Sequence, residues 1–259
     1  MKFGVCAKTD AAPTLKEAGY DYVEVGVQAV FQGTLSDDQF PGLGELEASP
    51  LPAPAANMLV PGDLKIVGPD ADLEALTVYM KHVVERAGKA GTNVLVFGSG
   101  AARNVPDDVD RTKARDQVTA FLHAAAPLAQ QAGVTIVIEP LNRDECNILN
   151  SVGESMEYVR DVNHPGLQCL VDSYHFWLED EPLSNLEDAM ASIKHVHVAD
   201  KEGRVAPGES GKSDYVPFFK VLKEGGYDRL ISIEGRVALD DVEALKRHKA
   251  YLDEAWAKA

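Results

Sequence analysis

The sequence predicts an α/β fold, a (β/α)8 TIM barrel formed by a single domain over residues 1–259. Eight short apolar segments recur along the chain, and amphipathic segments lie between them. Most of the apolar segments are nearly continuous rather than alternating, which is typical of parallel strands covered on both faces. Several amphipathic segments end in glycine just before the next apolar segment, where glycine can close a helix in the left-handed conformation.

The predicted strands, in chain order, are KFGVCA, YVEVG, AANMLV, NVLVFG, TIVIEP, LQCLVD, IKHVHVA and LISIEG. The predicted helices between and after them include DLEALTVYMKHVVERAGKAG, RTKARDQVTAFLHAAAPLAQQAG and DDVEALKRHKAYLDEAWAKA. This alternation implies parallel strands joined by right-handed crossovers, and eight such units close a barrel. A doubly wound open sheet is the alternative, but no GxGxxG motif follows the first strand. No segment has the composition of a linker between two domains.

Composition narrows the function classes. The net charge of −16 and the pI near 4.8 disfavour non-specific binding to nucleic acid or to an anionic membrane. No apolar stretch approaches the roughly 20 residues of a membrane span, and the N-terminus does not resemble a signal peptide, so we expect a cytoplasmic protein. The three cysteines, an odd number without a close pair, argue against a disulfide framework or a zinc knot.

Four polar side chains lie at or near the ends of successive predicted strands, at intervals of 33, 25 and 37 residues: Glu139, Asp172, His197 and Glu234. The carboxyl ends of the strands in such a barrel meet at one mouth. Three carboxylates and an imidazole that converge there would be held together best by a cation. Oxygen ligands with one nitrogen suit a hard or borderline divalent ion. The pattern therefore predicts a metal site.

Each of these residues also has an ordinary structural interpretation. Glu139 and Glu234 could be acids near helix N-termini, where the helix dipole favours them. Asp172 could cap the turn that follows its strand. His195 and His197 point to the same side of one strand, and a single strand histidine is often part of the core. From the residues alone, both interpretations stay open.

The motifs EPLNRDE, DSYH, HVHVAD, RVAPGE and ISIEG occur in this order from Glu139 onward. Their order and spacing resemble the xylose-isomerase-like TIM-barrel superfamily, in particular its sugar-phosphate isomerase/epimerase group. That group includes ketose 3-epimerases, hydroxypyruvate isomerases and inosose dehydratases. The resemblance covers nearly the whole chain and is strongest in its second half.

The resemblance implies one divalent ion, manganese, magnesium or cobalt with zinc also open, bound by Glu139, Asp172, His197 and Glu234. It further implies that Glu139 and Glu234 form the acid/base pair. The substrate contacts that it implies are Glu145, His175 and Arg204. Arg204 departs from the familiar spacing by about one residue. His195 lies deeper in the strand, where we expect packing or support of the ligands, whereas Asn57 and Arg103 could both reach the mouth.

We therefore expect a metal-dependent isomerase or epimerase of a small keto-sugar or related polyol, working through an enediolate. A lyase acting on a keto-cyclitol or keto-glycoside would use the same intermediate. An apurinic-site endonuclease of the superfamily would need more histidines than these seven, and a basic groove. A non-catalytic sugar-binding barrel is the remaining alternative. The sequence does not name the sugar, its phosphorylation state, the metal, or whether the protein forms a homo-oligomer.

Overall fold

The computed structural model describes all residues, 1–259, and contains a closed barrel of eight parallel strands. Each strand pairs with the next along the chain, and the last pairs with the first. The predicted TIM barrel is therefore confirmed. The strands are β1 (Lys2–Cys6), β2 (Tyr22–Gly26), β3 (Ala55–Asn57), β4 (Val94–Phe97), β5 (Thr135–Ile138), β6 (Leu167–Asp172), β7 (Ile193–Val198) and β8 (Leu230–Ile233).

Helices connect the strands on the outside of the barrel. None of them combines the length and the apolarity that a bilayer crossing requires. They are α1 (Ala12–Glu17), α2 (Val27–Val30), α3 (Gly44–Glu47), α4 (Leu73–Ala90), α5 (Gly100–Arg103), α6 (Arg111–Gln131), α7 (Val152–Val162), α8 (Ser173–Leu178), α9 (Leu183–Ala189), α10 (Val216–Glu224) and α11 (Val242–Lys258).

The ends of the long helices follow from local sequence. Asp72 begins α4, because its side chain accepts hydrogen bonds from the backbone N–H groups of Glu74 and Ala75. Gly91 ends the same helix in the left-handed region, with φ of 76°, as the glycine pattern predicts. The chain turns at Gly91, and β4 begins at Val94, within a few residues.

The barrel interior has an apolar side and a polar side. A small buried cluster, separate from the main core, consists of Ala55, Val94, Val96, Val137 and Leu170 on β3 to β6. Buried polar residues fill the interior on the side of β2, β7 and β8: Tyr22, Glu24, His195 and Ser232. The polar side thus forms a base of hydrogen-bonding groups beneath the mouth.

The third strand is shorter than the segment AANMLV predicts. It ends at Asn57, and Met58 adopts the left-handed region with φ of 58°. A residue in that conformation cannot continue an extended strand. The chain turns at this point, and Met58 and Val60 border a cavity at the mouth instead of adding to the sheet.

Candidate active site

The four predicted metal ligands converge at the carboxyl ends of β5 to β8. Asp172 is the last residue of β6 and pairs in register with His197 of β7. Glu139 directly follows β5, and Glu234 directly follows β8. One ligand atom from each of the four lies within 4.8 Å of the others. The strand ends therefore bring together side chains that are far apart in sequence.

The arrangement of donor atoms fits a divalent cation. Nδ1 of His197 lies 3.0 Å from Oε1 of Glu139 and 3.5 Å from Oε2 of Glu234. Oδ1 of Asp172 accepts a hydrogen bond from the backbone N–H of Tyr174, but its Oδ2 is buried without a hydrogen-bond partner. A buried acceptor without a donor is costly, and a cation would satisfy it. Three carboxylates with one imidazole could hold such an ion.

The pKa values of the three carboxylates in the cluster shift in different directions. Burial, Glu234 and Glu139 together raise the pKa of Asp172 to about 8. Burial and the neighbouring Glu234 also raise the pKa of Glu139. For Glu234 burial acts in the same direction, but His197 and Arg204 outweigh it and lower its pKa to about 2. The three carboxylates therefore repel one another, and Glu234 is the one that most readily stays ionised.

The three predicted substrate contacts meet beside this cluster. Arg204 donates from Nη1 to Oε1 of Glu145 at 3.1 Å and from Nη2 to Oε2 of Glu234 at 2.7 Å. Its Nη2 also lies 3.4 Å from Nε2 of His175. The guanidinium stacks over the ring of Tyr174, 4.8 Å from the centroid. Despite its unusual sequence spacing, Arg204 thus reaches the mouth.

His175 is fixed in one orientation. Its buried ring accepts at Nδ1 from the backbone N–H of Asn142 at 3.1 Å, and the side-chain amide of Asn142 lies 2.9 Å away. The proton of the neutral ring therefore sits on Nε2, which faces Arg204. Burial and the charge of Arg204 lower the pKa of His175 to about 3. His175 is consequently a neutral hydrogen-bond donor aimed at the mouth.

The loop that carries Arg204 is anchored by a buried carboxylate, Asp200. This side chain accepts hydrogen bonds from the backbone N–H groups of Gly208 and Ser210 and from the hydroxyl of Tyr215. Arg204 itself adopts a left-handed φ of 48°, and its carbonyl accepts from the N–H of Arg236 at 2.7 Å. The unusual backbone conformation is held from both sides, which positions the guanidinium.

Of the two residues that the sequence placed near the mouth after β3 and β4, only one reaches it. Asn57 does reach the mouth, where its amide donates to Oε1 of Glu234 at 2.8 Å. Arg103 does not, and this prediction is wrong. Its guanidinium is fully buried and donates to the backbone carbonyls of Phe97 and Glu139. Arg103 is the last residue of the short helix α5, and its hydrogen bonds hold the backbone at Phe97 and Glu139.

A cavity of about 300 Å³ opens beside the cluster. Its lining includes Glu139, Glu145, Arg204 and Glu234 together with residues of the first half of the barrel. Gly98 is essential to its shape, because a Cβ atom there would lie 2.3 Å from Oε2 of Glu139. The space is suited to a small polar molecule in contact with both the carboxylates and the guanidinium.

Sequence reasoning missed two supporting residues, Asn142 and Glu24. Asn142 lies within the EPLNRDE motif, but only the fold brings it against His175. Glu24 is a fully buried carboxylate under His197, and His195 contacts it from the same strand as His197. An acid at the centre of the apolar strand YVEVG was the available signal. Such a residue is rare without a specific partner.

Fold and site together define an α/β barrel with a carboxylate–imidazole cluster and an arginine at its mouth. Residues 13–255 match the family model described as "Xylose isomerase-like TIM barrel". The chain belongs to this family.

Proteins named as sugar epimerases are among the relatives that the chain matches. An L-ribulose 3-epimerase of Mesorhizobium japonicum is 26% identical over 257 residues, which cover 93% of this chain and 80% of that protein. A 3-dehydro-D-guloside 4-epimerase of Escherichia coli is 30% identical over 128 residues, 49% of this chain and 48% of the relative. A match to another curated relative covers 58% of that protein. The chain therefore spans about half the length of these two curated relatives. The crystal structure of D-psicose 3-epimerase with D-tagatose from Clostridium cellulolyticum has a TM-score of 0.82 at 18% identity, covering 98% of each chain.

Proposed function

We propose that this protein is a divalent-metal-dependent epimerase or isomerase of a small keto-sugar or related polyol. The observation that carries the proposal is the convergence of Glu139, Asp172, His197 and Glu234 within 4.8 Å, with Oδ2 of Asp172 buried and without a hydrogen bond. Two relatives are named as sugar epimerases, which supports the reaction class.

The four clustered residues would hold the ion, with manganese, magnesium and cobalt as the leading candidates. When bound, the cation would supply stabilisation of the negative charge that develops on substrate oxygens as a neighbouring carbon loses a proton. The protein's own residues account for the remaining chemistry.

Glu139 and Glu234 would move the proton. Both flank Nδ1 of His197, and their environments shift their pKa values in opposite directions. Two carboxyl groups separated in this way suit the roles of proton donor and proton acceptor. We assign proton removal to Glu234 and proton return to Glu139 in one direction of the reaction, with the roles reversed in the other. Return to the opposite face of the same carbon gives an epimer, and return to the adjacent carbon exchanges ketose and aldose.

Three further side chains would position the substrate. The Nε2–H of His175 and the guanidinium of Arg204 would donate to substrate oxygens, where developing negative charge strengthens such bonds. Glu145, held by Arg204, would accept from a substrate hydroxyl. The cavity of about 300 Å³ restricts the substrate to a small molecule.

The test uses the full chain, stripped with a chelator and then supplied with manganese or magnesium. Calorimetry first measures whether the ion binds. Keto-sugars of three to six carbons are then incubated in deuterated water and followed by NMR. The proposal expects ion binding, deuterium at the carbon next to the carbonyl, and an epimer or aldose product.

The same experiment separates the alternatives. A lyase would release water and leave an unsaturated or deoxygenated product. A sugar-binding barrel would bind substrate without any proton exchange. A protein that folds normally but binds no divalent ion would contradict the metal centre. A separate assay with abasic DNA tests the endonuclease alternative, which cleavage of that DNA would favour.

A further inference from the structure

A buried carboxylate lies directly beneath the proposed metal centre. Glu24, the third residue of β2, is fully buried inside the barrel. Its Oε1 lies 2.9 Å from Nε2 of His197, and its Oε2 lies 2.7 Å from Nε2 of His195. Glu24 is not part of the lining of the cavity at the mouth, so it has no evident contact with a substrate.

Burying a carboxylate is unfavourable unless hydrogen-bond donors surround it. Here the donors are two imidazoles and the hydroxyl of Ser232. An ionised carboxylate only accepts hydrogen bonds, so each neighbouring imidazole must direct an Nε2–H at it. For His197 this requirement determines which nitrogen faces the mouth. Nδ1 is the atom that lies 3.0 Å from Glu139 and 3.5 Å from Glu234.

We infer that Glu24 is a positioning residue for the metal centre, which holds the His197 ring so that the lone pair of Nδ1 points at the three carboxylates. The inference rests on the proposed function, because it concerns the same ion. Histidine ligands of metals commonly donate their second N–H to a carboxylate, which fixes the ring and increases its basicity. Glu24 occupies that place for His197.

The carboxylate is itself held in position. The hydroxyl of Tyr22 lies 2.8 Å from Oγ of Ser232, which in turn donates to Glu24. The ring of Tyr22 occupies space that opens only because residue 4 is glycine, since a Cβ there would lie 2.3 Å from the ring. The register aligns Ser232 with His197 on adjacent strands. These contacts leave the carboxylate little freedom to turn away from the imidazoles.

The first test replaces Glu24 with glutamine. Glu24→Gln keeps the size of the side chain but offers an N–H where one imidazole needs an acceptor. The affinity for manganese, measured by calorimetry on the chelator-stripped full chain, should fall about 10- to 100-fold. Ser232→Ala is the matched control, because it removes one hydrogen bond to Glu24 and leaves both imidazole contacts. It should weaken manganese binding only a few-fold.

A spectroscopic measurement on the unaltered protein covers the case in which Glu24→Gln does not fold. With ¹⁵N-labelled histidine and bound magnesium, His197 should carry a slowly exchanging proton on Nε2 and none on Nδ1. His195→Gln and His197→Gln spectra assign the signals. This readout reports ring orientation and does not depend on turnover.

Wild-type manganese affinity in a folded Glu24→Gln protein would overturn the role of Glu24 alone. A proton on Nδ1 of His197 in the magnesium-loaded protein would overturn it too, and would also remove His197 from the ligands of the ion. If the unaltered protein bound neither ion, the metal centre itself would be wrong, and the role of Glu24 with it. The two failures are therefore distinguishable.

Discussion

The two halves of the barrel contribute different things to the mouth. The second half, β5 to β8 and the loops after them, supplies the four clustered residues and the three proposed substrate contacts. The first half supplies Asn57, Gly98 and, one layer below, Glu24. The second half thus carries the reactive groups, while the first half provides space and orientation for them. Variants in each half test this division.

The largest effect is expected in the second half, for Glu234→Gln and Glu139→Gln. An amide cannot take or return a proton, so deuterium exchange into a keto-sugar substrate should fall by about 10²- to 10⁴-fold. Metal affinity should weaken as well, since one anionic ligand is lost. NMR in deuterated water measures the exchange, and Glu187→Gln on the exposed face of α9 is the control. Near-normal exchange in either site variant would remove that residue from proton transfer.

The first half should produce an effect of nearly the same size through shape alone. In Gly98→Ala the new methyl group would lie 2.3 Å from Oε2 of Glu139, so the carboxylate must move. A displacement of about 1 Å at a reacting group can cost about 100-fold in rate. Gly44→Ala, where nothing lies within 4 Å, is the control and should be neutral. If Gly98→Ala retained full turnover, the position of Glu139 would not be critical.

His175→Ala and Arg204→Ala should separate substrate contacts from metal ligands. Each should lower turnover by about 100-fold, because a positioned donor is lost, while manganese affinity measured by calorimetry stays nearly unchanged. Asp172→Ala, in contrast, should weaken manganese binding itself. Full activity in Arg204→Ala would leave substrate recognition to Glu145 and His175.

The sequence predicted the barrel because strand and helix patterns repeat, and a closed parallel sheet follows from eight such units. It also predicted Glu139, Asp172, His197 and Glu234 as a cluster, because the carboxyl ends of the strands of a parallel barrel lie at one mouth, whatever the length of the loops between them. Arg103 and the end of β3 could not be predicted in this way. Both depend on local backbone turns, such as the left-handed conformation of Met58, which no pattern of apolar residues encodes.

Asn57→Ala should give a smaller effect, which sharpens the supporting role of the first half. It removes one hydrogen bond to Glu234, 2.8 Å long, and leaves all the clustered residues in place. A single hydrogen bond contributes about 0.5–1.5 kcal/mol, so turnover should fall by only about 2- to 12-fold. Steady-state kinetics with the substrate found in the NMR screen measures this. A loss comparable to that of Glu234→Gln would mean that Asn57 takes part in the chemistry.

The smallest effect concerns pH and stability, and it arises in the second half. The pKa of Asp172 is raised from 3.8 to about 8, mainly by burial, so its contribution to stability is present at low pH and is lost as the pH rises towards 8. The pKa of His197 is raised too, because Glu24 and Glu234 outweigh burial, and it acts in the same direction. The pKa of His175 is lowered to about 3, so its contribution to stability is lost as the pH falls below 6.5 and gives no pH dependence above that value. Between pH 6.5 and 8 the metal-free protein should therefore become less stable, while a bound cation relieves the repulsion between the carboxylates.

This pH dependence can be measured by thermal melts with and without magnesium. The increase in melting temperature with excess magnesium should be larger at pH 8 than at pH 6.5 by a few degrees, at about 2–4 °C per kcal/mol for a chain of this size. Equal shifts of the wild type at both pH values would show that Asp172 does not exchange a proton for the ion.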